Sequence, residues 1–144
     1  MSFSMSAKAH YACLAMLELA LRHDEDRPVA LREITARHSI PQPFLVQILQ
    51  QLKVAGYVTS TRGSQGGYRL SVDATAISLL DICDAIGCGD SEQSPESTDT
   101  TAEAQVLGAT WRSASKAFRD VLASIRLEDL ANDCSRADGA MFYI

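Results

Sequence analysis

Apolar residues recur at three- and four-residue spacing in several stretches of the chain, the period of helices with one buried face. Tyr11, Leu14, Leu17 and Leu21 follow it, and Ala, Leu and Met fill most of the positions between, which predicts a first helix over residues 7–22 with a broad apolar surface. The acidic run Asp24-Glu25-Asp26, followed by Arg27-Pro28, ends it. A short second helix is predicted from Leu31 to His38, with Leu31, Ile34, Thr35 and His38 on one side. Ser39-Ile40-Pro41 reads as a turn, and Pro41 fits the first turn of a third helix, where a missing N–H costs nothing. That helix reaches about Ala55, buries Phe44, Leu45, Ile48, Leu49 and Leu52, and turns Gln42, Gln47, Gln50, Gln51 and Lys53 to solvent. Gly56 closes it.

The period then changes. Two β-prone runs, Tyr57 to Arg62 and Tyr68 to Val72, flank Gly63-Ser-Gln-Gly-Gly67 and predict a hairpin. Ser78 caps a fourth helix with Leu79, Ile82, Cys83 and Ile86 on one face, ended by Gly87. From Gly89 to Thr101 no residue is apolar, the signature of a solvated loop. Thr100 and Glu103 have capping-box spacing for a long helix in which Leu107, Trp111, Ala114, Phe118, Val121 and Ile125 alternate by four and three, a heptad-like seam. Leu127 to Asn132 adds a turn or two; Ser135 to Gly139 is polar and reads as flexible, before the apolar end Met141-Phe142-Tyr143-Ile144. The expected division is a compact domain over 1–76, a connecting helix over 77–88 and a polar loop over 89–101. A long helix with its short successor follows over 102–133, then a tail over 134–144.

Composition changes this picture little: 47% hydrophobic and 22% charged residues describe an ordinary globular protein, with no uncharged apolar run long enough for a membrane span. A cytoplasmic protein without a membrane partner is expected. Charge distribution changes it more. Residues 1–75 hold eight bases against six acids, whereas residues 76–144 hold five against twelve. Between Pro28 and Val72, Arg32, Arg37, Lys53, Arg62 and Arg69 face only Glu33, so a net charge of −5 hides a basic module suited to polyanions. The four cysteines, Cys13, Cys83, Cys88 and Cys134, form no C-x-x-C pair; Cys13 and Cys83 read as core. No nucleophile–base grouping, paired-carboxylate motif or phosphate loop is present, so no catalytic residue is assigned and the chain is not read as an enzyme.

Three helices followed by a Gly-turn hairpin are the order of a winged helix-turn-helix, mainly α with a small β-hairpin wing and here a long C-terminal helix. Such a domain reads double-stranded DNA by placing one helix in the major groove, where amide side chains pair with adenine; Gln42 and Gln47 are placed for that role. Arg62 and Gly63 at the wing tip would reach the backbone or a narrow minor groove. A solvated glutamine face and a plain hairpin remain the alternative at this point.

Four segments carry a resemblance: Lys8-Ala-His-Tyr11, Ile40-Pro-Gln-Pro-Phe-Leu45, Leu52-Lys-Val-Ala-Gly-Tyr-Val58 and Arg62-Gly-Ser-Gln-Gly-Gly-Tyr68. Together they resemble the Rrf2 family of winged-helix regulators. The resemblance implies a homodimer held along Leu107, Trp111, Ala114, Phe118, Val121 and Ile125, which represses transcription at a pseudo-palindromic operator. It further implies DNA contacts from Lys8, Tyr11, Gln42, Pro43, Gln47, Lys53, Arg62, Gly63, Ser64, Gly66, Gly67 and Tyr68. Cluster-binding members carry three close cysteines before the long helix; this chain has only Cys88 there and no histidine after His38. Neither an iron–sulfur cluster nor another metal or cofactor is therefore expected. Two alternatives stay open: a thiol-based redox or metal sensor using Cys88 and Cys134, and an interaction subunit that no longer binds DNA. The ending Met141-Phe142-Tyr143-Ile144 resembles that of cysteine-metabolism repressors in the family. This implies docking of the tail in cysteine synthase, against the alternative that it folds back on the dimer.

Overall fold

The computed structural model describes residues 6–87 and 101–141. Its elements are α1 (Ala7–Leu21), α2 (Leu31–His38), α3 (Gln42–Val54), β1 (Val58–Thr61), β2 (Gly67–Leu70), a 3-10 turn (Ala74–Ala76), α4 (Leu79–Ala85), α5 (Ala102–Ser124) and α6 (Leu127–Met141). Mainly helical with one antiparallel hairpin, the chain has the winged helix-turn-helix architecture its sequence predicts.

The core forms where the apolar stripes of α1 to α4 meet. Ala12, Ala15, Met16, Ile34, Leu45, Ile48, Leu49, Leu52, Ile77 and Ile82 have no exposed surface, and each buried Leu or Ile contributes roughly 1.5–3 kcal/mol. The small residues Ala9, Ala12 and Ala15 on the buried side of α1 let neighbouring helices approach closely. Local chemistry fixes the ends. Ser6 caps α1 by accepting the Ala9 N–H at 3.2 Å. Ser78 and Asp81 form a reciprocal capping box at the start of α4. Beyond α3, Gly56 takes φ +89°, its N–H donating to the Lys53 carbonyl while the Tyr57 N–H donates to that of Leu52. This Schellman ending aims the chain directly into the wing.

β1 and β2 pair antiparallel with Val58 opposite Leu70 and Thr61 opposite Gly67. β2 also bonds a single residue ahead of α2, for Val29 and Tyr68 exchange N–H···O bonds of 2.9 and 2.8 Å. The paired glycines follow from this crowding. A Cβ on Gly66 would lie 2.2 Å from the Thr61 carbonyl oxygen, and one on Gly67 would lie 2.3 Å from that of Val29. Gly67 thus belongs to the strand, one residue earlier than the sequence places its start.

Several expectations need correcting. Phe44 is 38% exposed rather than core, because it lies on the flank of α3 and stacks edge-on against Tyr11 instead of meeting the helix bundle. Gln51, three residues after Ile48, edges inward and buries its amide oxygen, which has no hydrogen-bond partner among the described residues. Thr101, not Thr100, caps α5, accepting the Ala104 N–H at 3.1 Å. The longest revision is α6, which continues to Met141 through the stretch read as flexible, because Leu127, Leu130, Ala131 and Cys134 lay a stripe against α1 and the 3-10 turn.

The predicted seam on α5 divides. Phe118 and Ile125 are half-buried near Leu122, and Arg119 pairs with Asp84 of α4 at 3.2 Å. Leu107, Trp111, Ala114 and Val121 are exposed. An antiparallel bridge anchors the α5–α6 junction beside α4: Leu79 N–H donates to Ile125 and Leu127 N–H to Ile77. Cys88, the loop from Gly89 to Thr100 and Phe142 to Ile144 lie outside the described residues. Among the described residues, no helix is long and apolar enough to cross a membrane.

Candidate nucleic-acid interface

The candidate interface is built on two elements, α3 and the wing. Burial of Leu45, Ile48, Leu49 and Leu52 fixes the rotation of α3, and that rotation leaves Gln42, Pro43, Gln47 and Gln50 exposed. Entry into α3 is equally constrained. Ser39 adopts φ +53°, Ile40 is buried, and the Pro41 carbonyl accepts the N–H groups of Phe44 and Leu45. Pro41 is therefore the cap residue, and Pro43 occupies the first turn, where its missing N–H leaves no gap in the helix ladder.

At the wing, Arg62, Gly63 and Ser64 are exposed at the tip, with Gly63 at φ +108°. Gly66, Gly67 and Tyr68 are half-buried and serve as its framework, through the close backbone approaches and the Val29 bonds. Lys53, on the last turn of α3, donates from Nζ to Ser60 Oγ of β1 at 2.7 Å, tying α3 to the wing. Lys8 is half-buried in the first turn of α1; Tyr11 is half-buried too, its ring 5.7 Å from that of Phe44 at 83°. Ser60 and Val29, which fix the wing's position, escaped the sequence reading because each acts through a partner in another element, Lys53 on α3 and Tyr68 on β2.

Charge pairing sorts the cations. Arg37 donates to the buried Glu18 carboxylate at 3.2 Å, which also meets His38 Nε2 at 3.0 Å, so the end of α2 is pinned to α1. Glu33 accepts from Arg27 at 2.9 Å, from the Ala30 N–H at 2.8 Å and from Arg22 at 3.2 Å. The Arg27 hydrogen bond first, then the Ala30 N–H, holds its carboxyl down to about 2. With this acid engaged, Arg32, Arg62 and Arg69 are exposed and make no ion pair among the described residues, and Lys53 meets only a hydroxyl. The face shared by α3 and the wing is cationic and rich in amide groups, suited to phosphates and base edges.

Metal ligation is a separate question. Among the described residues no group of three His, Cys, Asp or Glu is arranged to hold a metal ion. Cys83 is buried on α4, Cys13 is half-buried on α1 and Cys134 is half-buried on α6. Among the described residues these three thiols are not gathered at one site, whereas an iron–sulfur cluster takes several thiolates together.

Comparison with known proteins agrees with the geometry. The sequence profile of Rrf2, described as "Iron-dependent Transcriptional regulator", matches residues 5–133. The HTH-type transcriptional regulator IscR of Vibrio cholerae is 35% identical over 136 residues, 90% of this chain and 75% of that regulator. Among solved structures, T. potens IscR matches with TM-score 0.78 at 32% identity, covering 95% of this chain and 92% of that one. CymR, the global cysteine regulator of B. subtilis, matches with TM-score 0.74 at 30% identity, covering 91% and 98%. The likeness is thus to IscR as much as to CymR, a broader placement than the tail alone suggests.

Proposed function

Because this chain belongs to the Rrf2 family of transcriptional regulators, we propose that it is a homodimeric, cluster-free repressor that binds a pseudo-palindromic operator. The observation that carries this reading is the hydrogen bond of Lys53 to Ser60, which ties α3 to the wing while Gln42, Gln47 and Arg62 stand exposed on those two elements. In this reading Gln42 and Gln47 meet base edges, while Lys8, Pro43, Lys53 and the wing tip at Arg62, Gly63 and Ser64 meet backbone or minor groove. Gly66, Gly67, Tyr68 and Tyr11 hold those groups in place. The exposed Leu107, Trp111, Ala114 and Val121 on α5 meet the same residues of a second copy, giving two recognition helices for two half-sites. The test is a gel shift on the chain's own promoter region across a salt series. Arg62→Ala should weaken binding by about 1–3 kcal/mol with the fold intact; a loss shared by all sequences marks a phosphate contact, and relaxed preference marks a base contact. Unchanged affinity would remove the wing from the interface.

The finer reading concerns the signal. We propose that the regulon is cysteine metabolism and that Met141, Phe142, Tyr143 and Ile144 dock in cysteine synthase. Support comes from the likeness to CymR, whose structure is named for a global cysteine regulator, and from the sequence, which has one cysteine, Cys88, rather than three before the long helix. Deleting Ile144 should abolish synthase binding in a pull-down while leaving the dimer and operator binding intact. A truncated chain that bound the synthase with unchanged affinity would end this reading.

A further inference from the structure

We propose that Glu18 is a positioning residue for operator recognition: by holding Arg37 and His38 together at the end of α2, its buried carboxylate fixes the turn into α3 and the first residues of that helix. The role rests on the operator binding proposed above. Glu18 and Ser78 are the buried polar side chains among the described residues, and Ser78 is accounted for as the cap of α4. Glu18 has no such local task. It lies on α1 at 5% exposure, one turn beyond the buried Ala15, where a leucine or methionine would sit without desolvating a charge. Buried ion pairs give little net stability, because desolvation offsets the attraction; what they can supply is one arrangement of the groups they join.

The groups joined here are consecutive residues of another helix. Glu18 Oε2 lies 3.0 Å from His38 Nε2 and 3.2 Å from Arg37 Nε. Arg22, at the end of α1 itself, stands 3.9 Å from Oε1 and is committed instead to Glu25 at 2.9 Å and to Glu33 at 3.2 Å. α2 is thereby tied to α1 at each end, at its first turn through Glu33 and Arg22 and at its last through Glu18. Only the second tie adjoins α3. His38 is followed at once by Ser39 at φ +53° and ψ +38°, a left-handed turn made without glycine. A residue other than glycine stays in that region because its surroundings hold it there. The buried Ile40 and then Pro41, the cap of α3, come next, so the placement of His38 sets that of Gln42, the first residue of the helix. Glu18, enclosed and acidic, offers DNA nothing directly. Charge alone would even give its removal the opposite sign, since one acid fewer strengthens attraction to phosphates of any sequence.

The test measures Kd of the full-length chain for its own promoter region and for unrelated DNA of the same length, at one salt concentration, with thermal midpoint and sedimentation alongside. Glu18→Gln should lower the ratio of unrelated to promoter Kd about 10-fold, the scale of one lost base-edge contact, with binding to unrelated DNA unchanged or tighter. His38→Gln keeps the acid and its Arg37 partner and should lower the ratio about threefold, the scale of one hydrogen bond. Glu33→Gln, at the far end of α2, should lower the thermal midpoint and leave the ratio unaltered. A ratio unaltered in Glu18→Gln, or in His38→Gln should the first variant not fold, would overturn the proposal. So would an equal fall in Glu33→Gln, which would show the ratio following stability. A parent chain with no preference for the promoter region would instead overturn the operator reading itself, and this role with it.

Discussion

The DNA-binding half of the chain and the long helix α5 are written in the same three-and-four apolar rhythm, and they use it in opposite ways. In α3, Leu45, Ile48, Leu49 and Leu52 have no exposed surface. In α5, Val106 is 67% exposed, Leu107 54%, Trp111 59% and Val121 56%. The first set satisfies itself within the chain, where every wall is another helix or the wing. The second leaves apolar surface in water, and at roughly 25 cal/mol per Å² its burial is a driving force that only another surface can realise. Periodicity thus reports which face is apolar but not what covers it. The boundary between the two uses falls within α5 itself, at Phe118, where the helix settles onto α4 through the Arg119–Asp84 pair.

The contrast is open to direct attack from each side. Gly67→Ala strikes the self-contained half: its Cβ would meet the Val29 carbonyl oxygen at 2.3 Å, with backbone on both sides of the clash. We expect a loss of roughly 3 kcal/mol in urea denaturation, at the upper end for overpacking because no flexible side chain can yield. An unchanged midpoint would show that the Val29 bridge is dispensable. Trp111→Asp strikes the other half and should leave the helical circular dichroism spectrum unaltered. It should move the sedimenting species to monomer and lower operator affinity about 100-fold, equivalent to roughly 2.7 kcal/mol. Phe118 is the poorer site for this test, being half-buried within its own chain. A Trp111→Asp protein that still sediments as a dimer would separate α5 from assembly.

A smaller effect tests how the recognition half is braced. Glu33 titrates at about 2 in the fold against an ordinary 4.5, so its charge stabilises the folded state above 4.5, and that contribution disappears as pH falls towards 2. Because its side chain is 29% exposed, solvent screening leaves about 1 kcal/mol of this at neutral pH. Glu33→Gln should therefore be less stable than the parent at pH 7, with the gap narrowing below 4.5 and closing near 2. A gap independent of pH would assign the effect to packing.

What was legible in the sequence was local. The Ser78 cap, the Gly56 ending of α3 and the glycine-bounded hairpin follow from neighbours within a few residues, and each is where the chain alone puts it. The exposed Gln42 and Gln47 follow from the same helical arithmetic. What was not legible depends on distant partners. Phe44 has the spacing of a core residue but finds Tyr11 at the surface, and Lys53 is oriented by Ser60 across the α3–β1 corner. The stripe Leu127, Leu130, Ala131 and Cys134 has proper helical spacing, yet it is short and runs among weak helix formers such as Asn132 and Ser135, so only its docking on α1 extends α6 to Met141. Val29 joins β2 as a single residue, and a single residue has no period.

The tight backbone crossings at Gly66 and Gly67 have a consequence for how such a wing can diverge. Every replacement of either glycine adds at least a Cβ, and the nearest atoms it would meet all belong to the main chain, so no gentle intermediate exists between glycine and a broken hairpin. Arg62, Ser64 and Gln65, by contrast, stand in open solvent on the same loop. Inheritance can therefore rewrite the tip freely while the stem stays invariant. On the function proposed above, a lineage of such proteins would drift from one DNA sequence to another by changing side chains at the tip and on the open face of α3, never by reshaping the loop that carries them.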